Sequence, residues 1–196
     1  MFNAVCLGLF ILLNSSIAAA ALQTPARTGA NLPWAPDGRC KLNPARPQGL
    51  HPDAHSALQK NSIAHRITQG INHSKDRGNV HDTDVTIKGI GYTGAVDISV
   101  RCLTRQQIQM MLARLADIGF AGWYRNEGED DWKGPPHIHA VWAGSPLKPF
   151  LKYQVESWLD GRNGLGSNAA YKFWQPSKEM QERVRTLFQN VEKRRQ

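Results

Sequence analysis

No charged side chain occurs in the first 21 of the 196 residues, MFNAVCLGLFILLNSSIAAAA. An apolar core from Val5 to Leu13, followed by small residues ending at Ala21, predicts a secretory signal peptide over 1–21, cleaved near Ala21. No Lys or Arg precedes that core, so the amino terminus alone supplies positive charge there. Asn14, Ser15 and Ser16 break the apolar run well short of the ~20 residues a spanning helix needs, which argues against an uncleaved anchor. No small-residue lipobox precedes Cys6, which argues against a lipoprotein. A periplasmic or secreted protein with no membrane span after cleavage is the expectation.

Cysteine is scarce too. Of three in the chain, loss of Cys6 with the signal leaves Cys40 and Cys102. In an oxidising compartment that pair predicts a disulfide, tying a Pro-rich arm to the end of a central strand. Acidic residues are outnumbered, 16 against 24 Lys and Arg, for a formal net charge of +8. The excess points to an anionic partner: cell-wall polymer, lipid surface or nucleic acid, among which charge does not choose. No internal repeat or low-complexity tract is present. The ~175 residues left after cleavage suffice for one domain with a real core, expected over 50–196, with 22–49 as an extended arm.

Periodicity fills in the elements. In HPDAHSALQKNSIAHRITQGI, Asp53 is a candidate helix cap, and Leu58, Ile63, Ile67 and Ile71 keep an approximate helical spacing. Two β segments, Val85 to Lys88 and Ala95 to Cys102, flank a Gly-rich turn over Gly89 to Gly94. The clearest helix is TRQQIQMMLARLADIGF. Thr104 and Gln107 form a capping box, Ile108, Met111, Leu112 and Leu115 form the buried stripe, and Gly119 is the left-handed stop. A strand, FAGWYR, an acidic loop and the strand HIHAVW follow. KPFLKYQVESWLDG is then a helix ended by Gly161, and a last helix from about Ser177 places Met180, Val184, Leu187 and Val191 on one face. The layout is α+β, with a small, mainly antiparallel sheet flanked by helices.

Two strands carry residues with chemistry. Alternation puts His137 and His139 on one face, about 6–7 Å apart along the strand, while Ile138, Ala140 and Trp142 take the other. Such spacing suits one metal ligand with a helper beside it, since neutral imidazole is a common zinc ligand. A His-x-His pair decides nothing alone, and a third ligand is required. In the strand from Ala95, Val96, Ile98 and Val100 form the aliphatic face and leave Asp97 opposite them, a mid-strand carboxylate in need of a partner.

Together, GYTGAVDISV at 91–100 and GPPHIHAVW at 134–142 resemble the motif halves of the zinc D-Ala-D-Ala carboxypeptidase and L,D-endopeptidase superfamily, peptidase family M15 and relatives, with the hedgehog/DD-peptidase fold. The resemblance spans roughly 80–142. It implies Asp97 and His139 as zinc ligands and His137 as the group that positions or deprotonates the attacking water. The family places its first histidine seven residues before the aspartate, where this chain has Ile90. His81 is therefore the expected first ligand, across a hairpin-sized insertion, with His73 in reserve. Glu127, Glu129, Asp130 and Asp131 are alternative proton carriers. The implied function is that of a monomeric, Zn²⁺-dependent peptidase acting on the peptide stems of peptidoglycan, with no specific nucleic-acid partner. A non-catalytic wall-binding module that keeps the fold is the alternative. A secreted metal-dependent nuclease comes third, because no nuclease motif is present.

Overall fold

A computed structural model describes residues 32–34, 40–42, 49–72, 80–130 and 132–194. The expected signal segment, most of the arm, His73 and Asp131 lie outside these residues. In chain order the elements are α1 (Pro52–Lys60), β1 (Ile67–Gln69), β2 (Val85–Ile87), β3 (Ile90–Tyr92), β4 (Ala95–Ser99), α2 (Arg105–Asp117), β5 (Phe120–Arg125), β6 (His137–Trp142), α3 (Pro149–Leu159) and α4 (Lys178–Lys193). The fold is α+β. One antiparallel sheet runs in the order β1-β4-β6-β5, and β2 and β3 form a separate hairpin.

The first helix is shorter than the spacing of its apolar residues predicts. Its cap is His51, whose Nδ1 accepts from the Asp53 amide, with Pro52 in the first turn. It stops at Lys60 because Ser62 takes a left-handed φ of 54°. Ile63 and Ile67 are still fully buried, but Ile67 reaches the core from β1, where it pairs with Ile98. The turn expected over Gly89 to Gly94 is also tighter than predicted. Lys88 and Gly89, both at positive φ, turn the chain alone, and Ile90–Tyr92 is a strand.

The capping box of α2 forms as expected. Gln107 N donates to Thr104 Oγ1, and Thr104 N donates to Gln107 Oε1. Ile108, Met111, Leu112 and Leu115 are buried, and Gly119 ends the turn at φ 97°. This helix packs along β5, where a side chain at Gly122 would meet Leu112 at 3.4 Å. On the other face α3 crosses β5 and β6, and α4 packs against both helices. Val96, Ile98, Ile138 and Ala140 are fully buried on the α2 side of the sheet, in one core cluster with the α2 stripe. Burying that many aliphatic side chains, at about 1.5–3 kcal/mol each, is what holds the central strands in register. A one-residue slip would turn the polar face inward.

The cysteine expectation holds. Cys40 and Cys102 are bonded across 62 residues, with Cα atoms 6.1 Å apart. The arm is fastened a second time by Arg66, which is buried, donating to the carbonyls of Trp34, Ser99 and Arg101. Trp34 thereby becomes a core residue, 2% exposed.

Candidate metal centre

Sheet register builds the site. Asp97 on β4 pairs directly with His139 on β6, and His139 pairs with Trp123 on β5. The next row on the same face is Ser99, His137 and Arg125. His81 comes from outside the sheet, in the segment before the β2–β3 hairpin. Contacts among the described residues that bring it in include Asn72 N donating to the His81 carbonyl at 2.8 Å, the His81 ring bonding Gly70, and Lys148 Nζ donating to the neighbouring Asp82 carbonyl at 2.8 Å.

The hairpin itself is held by Asp84, whose side chain is fully buried. Its Oδ2 accepts from Gly94 N and Thr93 Oγ1, its Oδ1 from Lys148 N, and Lys148 Nζ lies 3.5 Å away. One carboxylate thus joins the hairpin, the start of β4 and the start of α3. Burial pushes the Lys148 ammonium below its ordinary pKa, against the pull of Asp84 and Asp82.

His81, Asp97 and His139 each offer one ligand atom, and these atoms lie within 4.8 Å of one another. Their protonation follows from the outer partners. A backbone carbonyl only accepts, so the 3.0 Å contact from His81 Nδ1 to Gly70 O places the proton on Nδ1 and leaves a lone pair on Nε2. Nε2 faces Asp97 Oδ2 at 3.2 Å. Gln154 settles His139 in the same way. Its Nε2 donates to Gly164 O at 3.3 Å, so its Oε1 must accept, and His139 Nε2–H supplies the proton across 3.2 Å. His139 Nδ1 is then a lone pair, 3.0 Å from Asp97 Oδ1.

Two imidazole nitrogens and a carboxylate therefore converge, His139 Nδ1 and His81 Nε2 each facing Asp97. Burial pushes His139 below its ordinary pKa, outweighing the attraction of Asp97, so a second proton is disfavoured at neutral pH. Burial raises the Asp97 carboxyl, but its contacts with His139 and His81 overturn that and hold it well below the usual carboxylate range. Two ligands ~2.05 Å from a tetrahedral ion sit about 3.3 Å apart, close to the two contacts given above. The group can hold a metal ion, with an outer acceptor fixing each imidazole as metal-binding histidines require.

His137 stands beside this group. Its Nδ1–H donates to Pro135 O at 2.9 Å, so its Nε2 lone pair faces inward, 3.6 Å from Asp97 Oδ1. All four residues line one cleft of about 560 Å³, which Trp132 and Arg125 also border. His139 stacks on Trp123 at 6.1 Å, and Trp132 meets His137 edge-on at 5.0 Å.

The structure brings together His81, Asp97, His139 and His137, the four residues singled out in the sequence. Glu127, Glu129 and Asp130 do not line the cleft. Glu129 instead meets Asn126 and Arg105. Tyr171 is buried, its hydroxyl accepting from Tyr124 N at 2.7 Å. Ile90, at the position where the family carries its histidine, is 57% exposed on the hairpin. Gln154 and Arg125 were not anticipated. Gln154 carried a signal, being a polar residue in the stripe of Leu151, Val155 and Trp158. Comparison with family models, with curated proteins and with solved structures gives no match.

Proposed function

We propose that this chain is an exported zinc peptidase acting on the peptide stems of peptidoglycan, with a domain of the hedgehog/DD-peptidase kind. One observation carries the reading: both imidazoles turn a lone pair toward Asp97, because Gly70 and Gln154 occupy their other nitrogens. Nε2 of one histidine, Nδ1 of another and a carboxylate make the three-ligand set of a catalytic zinc site. Zinc held there would polarise a peptide carbonyl and lower the pKa of a water molecule toward neutrality.

The remaining steps belong to the protein. His137 Nε2 accepts the proton of the attacking water and passes it to the departing amine, its tautomer held by Pro135. Trp132 borders the cleft and reduces the water around the reacting atoms, and Trp123 backs the His139 ring from the core. The net charge of +8 favours contact with an anionic wall. The disulfide fits an oxidising compartment, and no helix among the described residues is long and apolar enough to cross a membrane.

Metal analysis of the purified chain, with zymography on murein and on DNA with and without chelator, tests the reading. One zinc per chain with chelator-sensitive murein clearing is expected. Zinc without clearing would favour the wall-binding alternative, and clearing of DNA alone would favour nuclease chemistry.

A further inference from the structure

Among the described residues four large apolar side chains are exposed: Ile90 on the hairpin, Met110 on α2, and Phe150 and Tyr153 on α3. A single apolar side chain at a surface is ordinary, but adjoining ones mark a contact. Phe150 and Tyr153 adjoin. They share one helix face, 42% and 40% exposed, with ring centroids 6.3 Å apart and planes inclined by 33°. The exposed stripe of α3 runs from Pro149 through both rings to Glu156 and Asp160. Gln154, the residue after Tyr153, is buried and lines the cleft that holds His81, Asp97 and His139. One helix thus carries an aromatic shelf on its outer side and part of the cleft wall on its inner side.

Size and charge choose the occupant. Two half-exposed rings offer far less than the ~800 Å² per partner of a stable protein interface. An anionic lipid surface needs cations to hold it, whereas the two lysines at the start of α3 are engaged, Lys148 with Asp84 and the Asp82 carbonyl and Lys152 with Glu192. Glu156 and Asp160, on the stripe itself, repel an anion. An uncharged ligand with apolar faces and a rim of hydroxyl groups fits both terms: the C–H face of a sugar ring covers an aromatic ring, and its hydroxyls donate to carboxylates. We propose that Phe150 and Tyr153 form a stacking platform for the glycan strand of peptidoglycan, with Glu156 and Asp160 accepting from sugar hydroxyls. This rests on the peptidase reading and deepens it, because the substrate is then murein whose stems are still attached to glycan rather than free peptide. Stems branch from the strand, so a strand held on α3 raises their effective concentration at the cleft.

The test titrates chitotetraose, a linear oligomer of N-acetylglucosamine without peptide, into the full protein by calorimetry. Saturable binding is expected, weakened at least about tenfold in F150A/Y153A, where the sugar faces lose their apolar cover. Y153F, which keeps the ring, should hold most of the affinity. Folded F150A/Y153A should retain zinc and hydrolyse isolated stem peptides at the parental rate, yet clear intact murein more slowly. Failure of the unmutated protein to bind chitotetraose at millimolar concentration overturns the platform without reliance on any variant. Unchanged binding in folded F150A/Y153A overturns the assignment to the two rings. Ring-dependent capture of phosphatidylglycerol vesicles without chitotetraose binding overturns it too, and gives the shelf to a membrane. Zinc content and stem-peptide hydrolysis are read separately, so ring-dependent chitotetraose binding by a protein that lacks both removes the peptidase reading and keeps the platform.

Discussion

Gln154 touches no substrate in the proposed reaction, yet it decides which nitrogen of His139 faces Asp97. Its replacement by Ala should lower metal affinity about 10–100-fold, as loss of outer-sphere partners does elsewhere. H137A should differ in kind, keeping the metal and losing about 10²–10⁴ in turnover, the usual range for a general acid–base group. Metal competition and hydrolysis assays on the two variants separate an orienting residue from a proton carrier. Full turnover in H137A would move the proton-transfer role elsewhere.

Acidification tests the buried imidazoles. Burial lowers His51, His65 and His139, each against a neighbour that pulls the other way or adds to it. A lowered folded pKa means that the unfolded chain binds more protons between that value and the ordinary one near 6.5. Stability should therefore be full above about pH 6.5 and fall progressively below it. His51 must also surrender the Nδ1 lone pair that caps α1. Asp97, held low, contributes stability that is kept until pH falls below the usual carboxylate range and is then lost. Thermal unfolding in chelator at a series of pH values checks both signs. At this scale the sequence revealed the residues whose type is itself chemical: two histidines at alternate strand positions and one mid-strand Asp. It did not reveal Arg125, because a basic residue ending a strand ordinarily faces solvent. Only the register with β6 turns it into the cleft.

Among the elements, those that local chemistry fixes were legible. The capping box placed the start of α2 and Gly119 its end, and α4 begins just after Ser177, about where it was expected to start, with Ser177 as its cap. The hidden elements were those that tertiary contacts decide. Three residues of β1 are a strand because β4 offers a free edge, and Ile67 would suit a helix equally well by period. The strand β3 was missed because Gly91 leaves only two side chains with β character in Ile90–Tyr92. The hairpin's anchor, Asp84, is defined only by its contacts with Thr93, Gly94 and Lys148. Its replacement by Ala should cost about 3–5 kcal/mol, the range for breaking a buried pair, since Lys148 loses its counter-ion and Gly94 N its acceptor. Denaturant titration gives the cost, and a fall in metal occupancy out of proportion to it would show that the hairpin positions His81. A loss below about 1 kcal/mol would place Asp84 among ordinary surface carboxylates.

For the whole molecule, the bond between Cys40 and Cys102 closes a long loop around the sheet, and Arg66 and Trp34 fasten the same arm without covalent help. Reduction should lower stability by about 2–4 kcal/mol while the sheet remains folded. Circular dichroism and calorimetry with and without reductant check this, and an unchanged melting temperature would mean that the Arg66 clasp suffices. The α+β class and the pairing of the cysteines were both legible at this level. The packing of α3 across the site face was not, since nothing in its own pattern says which side of a sheet it covers.

The site's two attachments to the fold are unequal. Asp97 and His139 lie in the interior of a ladder whose central strand, β6, is bonded on both sides, whereas His81 is suspended outside it by the contacts of Asn72, Gly70 and Lys148. Opening the first pair means breaking the sheet. Opening the second needs only a few bonds of one segment, an event of the local kind that occurs without global unfolding. The residence time of an ion would accordingly be governed by the breathing of one histidine, and exchange of the Asn72 amide with solvent would keep the same clock.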